Sequence, residues 1–260
     1  MTQQEMLLLV PRRLKQLEAE YGIRVLYAAE SGSRAWGTSH HDSDFDVRFI
    51  YIRPREDYLR LDRARDVLEF PIVDGWDMCG WDLTKTLQLL HNSNSQIYEW
   101  FHSPVVYVDG GFSRRFRPVL EAYFCTRTAV YHYLHQAELK IKKLQKDDTV
   151  KVKHYLYSLQ HLAAAQWVLE RHAPVPVDFG TVTQLLPPDV RQQAGAIALR
   201  KTTRPEQPGM PRDPQLDAWL REEYSRLHRE AGMLPGDGDK GWERLNRFFL
   251  EELEESEKRG

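Results

Sequence analysis

Ser31–Val47 reads SGSRAWGTSHHDSDFDV, and it lies between two runs of strand character, Arg24–Ala29 (RVLYAA) and Asp46–Ile52 (DVRFIYI). The first run is β-branched and aromatic enough for a buried strand, and Glu30-Ser31-Gly32-Ser33 ends it with the small residues of a tight turn. The second alternates apolar and polar residues until Pro54 stops it. Asp44 and Asp46 stand two positions apart at the entrance to that strand. Their carboxylates are therefore expected on one face, with Cα atoms roughly 6.6 Å apart.

Two acids held that way repel each other, and a divalent cation relieves the repulsion. Clustered hard oxygen ligands suit Mg²⁺, and two ions roughly 3.5–4 Å apart can clamp both the attacking and the leaving oxygen of a phosphoryl displacement. Such a site needs a third acid from a neighbouring strand. Asp77, inside a further predicted strand at Val73–Gly80, is the best placed candidate. Asp82 competes for the role but sits where a helix over Leu83–Leu90 wants its N-cap. Gly32-Ser33, one turn after the first strand, lets backbone N–H groups approach an anion while the hydroxyl donates to it. Arg34 could reach a phosphate with two donors or could simply be an exposed loop arginine. Asp42 reads as a solvated turn residue.

Outward from this stretch, Met6–Tyr21 places Leu7, Val10, Leu14 and Leu17 at helical intervals, and Val67–Phe70 is a short strand candidate. Beyond Tyr107 the pattern is mostly helical: one or two helices over Phe112–Lys146, a long one over Val150–Glu170, and terminal helices at Asp217–Glu230 and Trp242–Glu255. Thr203–Pro214, with four prolines, reads as a loop. This divides the chain into an α/β part, residues 1–108, and a helical part, residues 109–260.

The chain has 260 residues, 42% hydrophobic and 28% charged, enough for a substantial core. Lys and Arg number 36 against 38 Asp and Glu, so no global basic field marks a nucleic-acid binder and such contacts must come from local patches. One patch is Lys140, Lys142, Lys143 and Lys146, with Lys151 and Lys153 behind it; it guides an RNA strand if it lines the cleft and is solvated surface otherwise. Two cysteines, Cys79 and Cys125, exclude a disulfide framework and a thiolate metal site, and the ten histidines show no paired ligand spacing. No apolar run reaches the roughly 18 residues of a membrane span, and Met1–Arg12 lacks signal-peptide character, so a cytoplasmic location is expected.

The run GSRAWGTSHHDSDFDVRFIY resembles the signature of the polymerase-β nucleotidyltransferase superfamily, Gly-Ser followed by Asp-x-Asp on adjacent strands. The continuation WDMCGWDLTKTLQLLHNSNSQIYEWFHSPVVY is similar to a bacterial and phage branch that includes RNA-ligase-associated, RNA-repair members. Lys151–Val168 (KVKHYLYSLQHLAAAQWV) is similar to that branch's Lys-x-Tyr-x-Tyr helix. Branch members often carry Asn-Pro where this chain has Asn94-Ser95, and Arg where it has Gln160.

The resemblance, spanning about Arg24 to Glu170, implies a mixed α+β sheet flanked by helices and followed by a mostly helical region that closes a nucleotide cleft. It implies that Gly32 and Ser33 hold the β- and γ-phosphates of an NTP. Asp44, Asp46 and Asp77 would bind two Mg²⁺ or Mn²⁺ ions, with Asp77 helping to activate the attacking hydroxyl. Lys153 and Tyr157, four apart on one helical face, would contact the triphosphate and the base or sugar. The implied reaction is transfer of a nucleoside monophosphate to an acceptor hydroxyl with release of pyrophosphate. An RNA 3′ end is the favoured acceptor, beside an RNA-repair ligase as partner. A small molecule or a protein side chain as acceptor, or a nucleotide binder without turnover, would use the same residues.

Overall fold

The computed structural model describes residues 2–144, 149–203, 209–236 and 238–259. It opens with α1 (Gln3–Tyr21), started by a reciprocal Thr2–Glu5 capping box and ended by Gly22 in the left-handed conformation. The buried stripe of α1 is Met6, Val10, Leu14 and Leu17, whereas Leu7 is 44% exposed, so Met6 replaces Leu7 in the expected set. Then follow β1 (Arg24–Glu30), a single helical turn α2 (Gly32–Ala35), β2 (Phe45–Ile52), a second short turn α3 (Arg55–Tyr58), β3 (Val67–Glu69) and β4 (Trp76–Asp82). Two helices, α4 (Leu83–His91) and α5 (Ser95–Phe101), lead to β5 (Val106–Val108). Asp82 caps α4 through the Thr84 N–H, as its position suggested.

The five strands form one mixed sheet in the order β3-β4-β2-β1-β5. Its centre, β1 and β2, is antiparallel, and β2 with β4 is parallel, a pairing that needs the long crossover through α3 and β3. In that register Asp46 stands opposite Asp77 and Phe49 opposite Gly80. A Cβ on Gly80 would come 2.2 Å from the Phe49 ring, so the close approach of the two strands requires glycine there. One face of the sheet packs on α1 through Val25, Val47, Phe49 and Tyr51.

The remaining elements are α6 (Phe112–Ala122), α7 (Thr126–Leu144), β6 (Thr149–Val150), α8 (Val152–Arg171), α9 (Phe179–Val182), α10 (Pro188–Thr203), β7 (Met210–Pro211), α11 (Pro214–Met233) and α12 (Glu243–Arg259). The second face of the sheet is covered by α4, α5 and α6 together with the last helix, α12, whose Leu245, Phe248 and Leu253 join Phe112 and Phe116. Arg115 binds Glu252 with two contacts, 2.6 and 2.8 Å, locking α12 in place. A separate core is built by α7, α8, α10 and α11, and Ala35 and Trp36, just after the Gly-Ser turn, insert into it.

Helix α10 has no counterpart in the sequence reading. Only Val190, Ala194 and Ile197 of its 16 residues are buried, so its apolar stripe is too thin to show as a period. The expected loop Thr203–Pro214 contains β7, which pairs with β6; residues 204–208, and Lys146, lie outside the described residues. Among the described residues no helix is long and apolar enough to cross a membrane.

Candidate active site

The site is assembled at the junction between the end of β1 and the start of β2. The Ser31 N–H donates to the Asp46 carbonyl (2.8 Å), and the Asp46 N–H donates to Glu30 Oε1 (2.7 Å). Both main-chain groups of Asp46 are thus engaged, which fixes where its side chain starts. Gly32 adopts φ +57°, and a Cβ there would lie 2.0 Å from Asp46 Oδ2. Glycine is needed twice over: for the left-handed turn and to let the backbone lie against the carboxylate. The turn then closes through Trp36 N–H to Gly32 O and Thr38 N–H to Ser33 O.

Asp77 stands beside Asp46 in the parallel register, and Arg48 joins them. One guanidinium nitrogen lies 3.0 Å from Asp46 Oδ1 and 2.8 Å from Asp77 Oδ2, while another donates to the Asp77 carbonyl at 2.8 Å. Burial lifts the Asp46 carboxyl above its usual range; Arg48 pulls against this, and the neighbouring Asp77 and Asp44 add to it. Burial also acts upward on Asp77, but the bond and charge of Arg48 outweigh it and leave Asp77 below the usual range. Glu30, fully buried, is pushed up to about 7 by burial, with hydrogen bonds from the Tyr107 hydroxyl and the Asp46 N–H opposing.

Asp44 is exposed and precedes β2 by one residue, with its carboxylate toward Gly75. No choice of oxygens brings Asp44, Asp46 and Asp77 mutually within 4.8 Å, so two of the three expected acids converge and the third stands off. The group that does meet that distance is His40, His41 and Asp42 in the preceding loop, exposed or half-buried, which sequence spacing did not single out. Asp82 lies at the other end of β4, 2% exposed, bonded by Thr84 and Tyr58. Arg34 donates to the carbonyls of His41, Ser43 and Asp44 and stacks on Phe45 at 3.7 Å, holding the loop that carries Asp44.

The helical core meets this turn through Ala35 and Trp36. Burial raises the Tyr157 hydroxyl, and the Asp46 charge raises it further. Lys140 sits 5.8 Å from the Tyr157 ring centre. Burial lowers the Lys140 amine, and nearby Lys143 and Lys153 lower it further. Lys201, on the unforeseen α10, is lowered by burial and by Lys153, and donates to the Thr38 carbonyl at 2.5 Å. Lys142, by contrast, pairs with Glu138 at 2.7 Å. Lys201 thus borders the Gly32–Thr38 turn, and Lys153 lies near enough to both Lys201 and Lys140 for their charges to interact. Gln160 is buried, and its Oε1 finds no partner among the described residues.

The donor set suits hard divalent cations. Asp46 and Asp77 lie within hydrogen-bonding reach of each other, Arg48 donates to one oxygen of each, and the exposed Asp44 is close enough for its charge to act on Asp46. Glu30, Arg48 and Lys201 were missed by sequence reasoning. Arg48 had a signal, since it shares a strand face with Asp46 two positions away; Glu30 and Lys201 had none, because their roles depend on β5 and α10.

The chain is 35% identical over 251 residues to an uncharacterized protein, YcgL, of Bacillus subtilis (strain 168), covering 95% of this chain and 96% of that one. Among solved structures it is similar to a nucleotidyltransferase-like protein from Exiguobacterium sibiricum 255-15, with 12% identity and a TM-score of 0.32 over 84% of this chain and 73% of that one. The family model described as the RNA repair pathway DNA polymerase beta family matches residues 7–251. That match takes in the acids, the glycine turn, Lys140, Lys153, Lys201 and the first half of α12, and the chain belongs to the RNA repair pathway DNA polymerase beta family.

Proposed function

We propose that this protein transfers a nucleoside monophosphate from an NTP to an acceptor hydroxyl, with an RNA 3′ end as acceptor and pyrophosphate as the leaving product. The observation that carries the reading is Asp46 beside Asp77 and against the Gly32 turn, with Lys201 bonded to the end of that turn. Family membership supports an enzyme of RNA repair and supports RNA as the acceptor.

In this reading the Gly32-Ser33 turn and the lysines receive the triphosphate. Backbone N–H groups and the Ser33 hydroxyl donate to it, and Lys153, Lys140 and Lys201 neutralise it. Tyr157 offers a ring face to the base or sugar. Arg34 positions the loop, and Asp44 swings inward to complete the acidic set. Two divalent cations, Mg²⁺ or Mn²⁺, held by Asp44, Asp46 and Asp77 would neutralise charge on the attacking and leaving oxygens. The acceptor oxygen forms a bond to the α-phosphorus as the bond to the bridging oxygen breaks in line, and the electron pair departs with pyrophosphate. Asp77, kept ionised by Arg48, takes the hydroxyl proton. Residues 1–108 supply the acids and the turn; residues 109–260 supply the lysines and Tyr157.

The test is label transfer from α-labelled NTP to an RNA oligonucleotide with Mg²⁺ or Mn²⁺. Wild type should extend the RNA, and Asp46→Asn and Asp77→Asn should not. Equal transfer by wild type and both variants would overturn the assignment. Label on a small molecule or on protein, with RNA unextended, would overturn the acceptor.

A further inference from the structure

At the opposite end of the sheet from Asp46 and Asp77, where β2 and β4 finish, a cleft of about 480 Å³ is lined by Arg53, Tyr58, Arg63, Arg65, Thr84 and Phe249. Asp46 and Ile52 are six residues apart on β2, about 20 Å at strand rise, so this cleft is separate from the acids. A second hollow of about 420 Å³ adjoins it and shares Arg53 and Arg63. We propose that this cleft is a second ligand site, shaped for a nucleotide-sized molecule that carries both a phosphate and hydrogen-bond donors.

The arginines carry the argument. Arg48 and Arg115 reach carboxylates at 2.6–3.0 Å. Among the described residues, Arg53, only 12% exposed, reaches no carboxylate closer than 3.9 Å, to Asp57 and to Asp82, and its buried Nε has no hydrogen-bond partner. A buried, unpartnered guanidinium N–H is costly unless something accepts from it. Among the described residues no carboxylate lies within 4.0 Å of Arg63 or Arg65 either. Arg53 Nη2 donates to the Arg65 carbonyl at 3.3 Å and the guanidinium lies over the Tyr51 ring, but its Nε stays unspent, and the exposed Arg63 and Arg65 side chains line the same cleft without a carboxylate partner, an arrangement that suits the oxygens of a phosphate.

The carboxylates narrow the ligand further. Asp82 is occupied by Thr84 and Tyr58, and Asp66 lies 3.5 Å from Lys85. Asp57 and Asp66 nevertheless line the same cleft, so its charge is close to balanced and a bare anion gains little there. A molecule that presents an anionic group to the arginines and hydroxyl or amino donors to the aspartates satisfies both. Tyr58 and Phe249, edge to face at 5.1 Å, supply aromatic surface for a ring. A nucleoside monophosphate has all three parts, and the volume is in the range of small-ligand sites.

The experiment is calorimetric titration of AMP, and separately of inorganic phosphate, into the full chain with EDTA present. AMP should bind with a sub-millimolar Kd, and phosphate about tenfold or more weaker. Arg63→Ser/Arg65→Ser, in an exposed loop, should weaken AMP by about tenfold or more with an unchanged circular dichroism spectrum. Asp46→Asn and Lys153→Ala should leave AMP binding as it is. The proposal is overturned if AMP gives no binding heat at millimolar concentrations, or if phosphate binds as well as AMP. It is equally overturned if Lys153→Ala abolishes binding that the arginine variant retains, since AMP then occupies the other site.

Discussion

Asp46 on β2 and Asp77 on β4 are register partners across the parallel pair, each giving one carboxylate oxygen to the same nitrogen of Arg48. The guanidinium holds together two acids that would otherwise repel. Removing it leaves two half-buried carboxylates facing each other. Arg48→Met is expected to lower stability in EDTA by about 3 kcal/mol, the scale of breaking a partly buried pair. Added Mg²⁺ should raise the melting temperature of the variant more than that of wild type, because the cation replaces the lost charge. Thermal unfolding with and without Mg²⁺ measures both.

Gly32→Ala puts a methyl group where Asp46 Oδ2 stands and asks alanine for φ +57°. The turn or the carboxylate must shift, and a displacement on the order of 1 Å at reacting groups costs about 100-fold in rate. Label transfer should fall by about that factor while the circular dichroism spectrum stays unchanged.

Lys153→Ala and Lys201→Ala each remove one cation from the pair that Lys201 anchors at the Thr38 carbonyl. A charge-assisted contact is worth about 1.5 kcal/mol or more, so each variant should raise the KM for NTP about tenfold and change kcat less. Steady-state kinetics separate the two parameters. Lys201 is the sharper case, because its effect requires α10 to border the nucleotide.

Glu99 accepts a bond from the Tyr133 hydroxyl at 2.9 Å and is pushed up to about 7 by burial, against 4.5 in the open chain. Between these values the folded protein keeps a proton that the unfolded chain has released. The stabilisation is full below about pH 4.5 and is lost as pH rises through 7. Glu99→Gln keeps an acceptor for Tyr133 without the ionisation. The variant should gain on wild type by about 1–3 kcal/mol between pH 5 and pH 8.5, read from urea unfolding at the two pH values.

The central strands, the glycine turn, the cap at Asp82 and the long helix α8 were legible because each has a local cause: alternation, small residues at a turn, a side-chain oxygen before a helix, a 3.6-residue period. Leu7 was misplaced because Met6 and Leu7 fit the helical period almost equally well. Helix α10 was illegible because tertiary contact, with only three buried side chains, stabilises a segment of little intrinsic pattern.

The linear order of residues determined which acids and which turn were available, since those follow from neighbours within a few positions. Folding alone decided that Asp77 faces Asp46, that Arg48 bridges them and that Lys201 reaches the Thr38 carbonyl. These are meetings between segments 29 to more than 100 residues apart. Strand register and helix packing choose them, and both depend on how apolar faces from the whole chain are buried together.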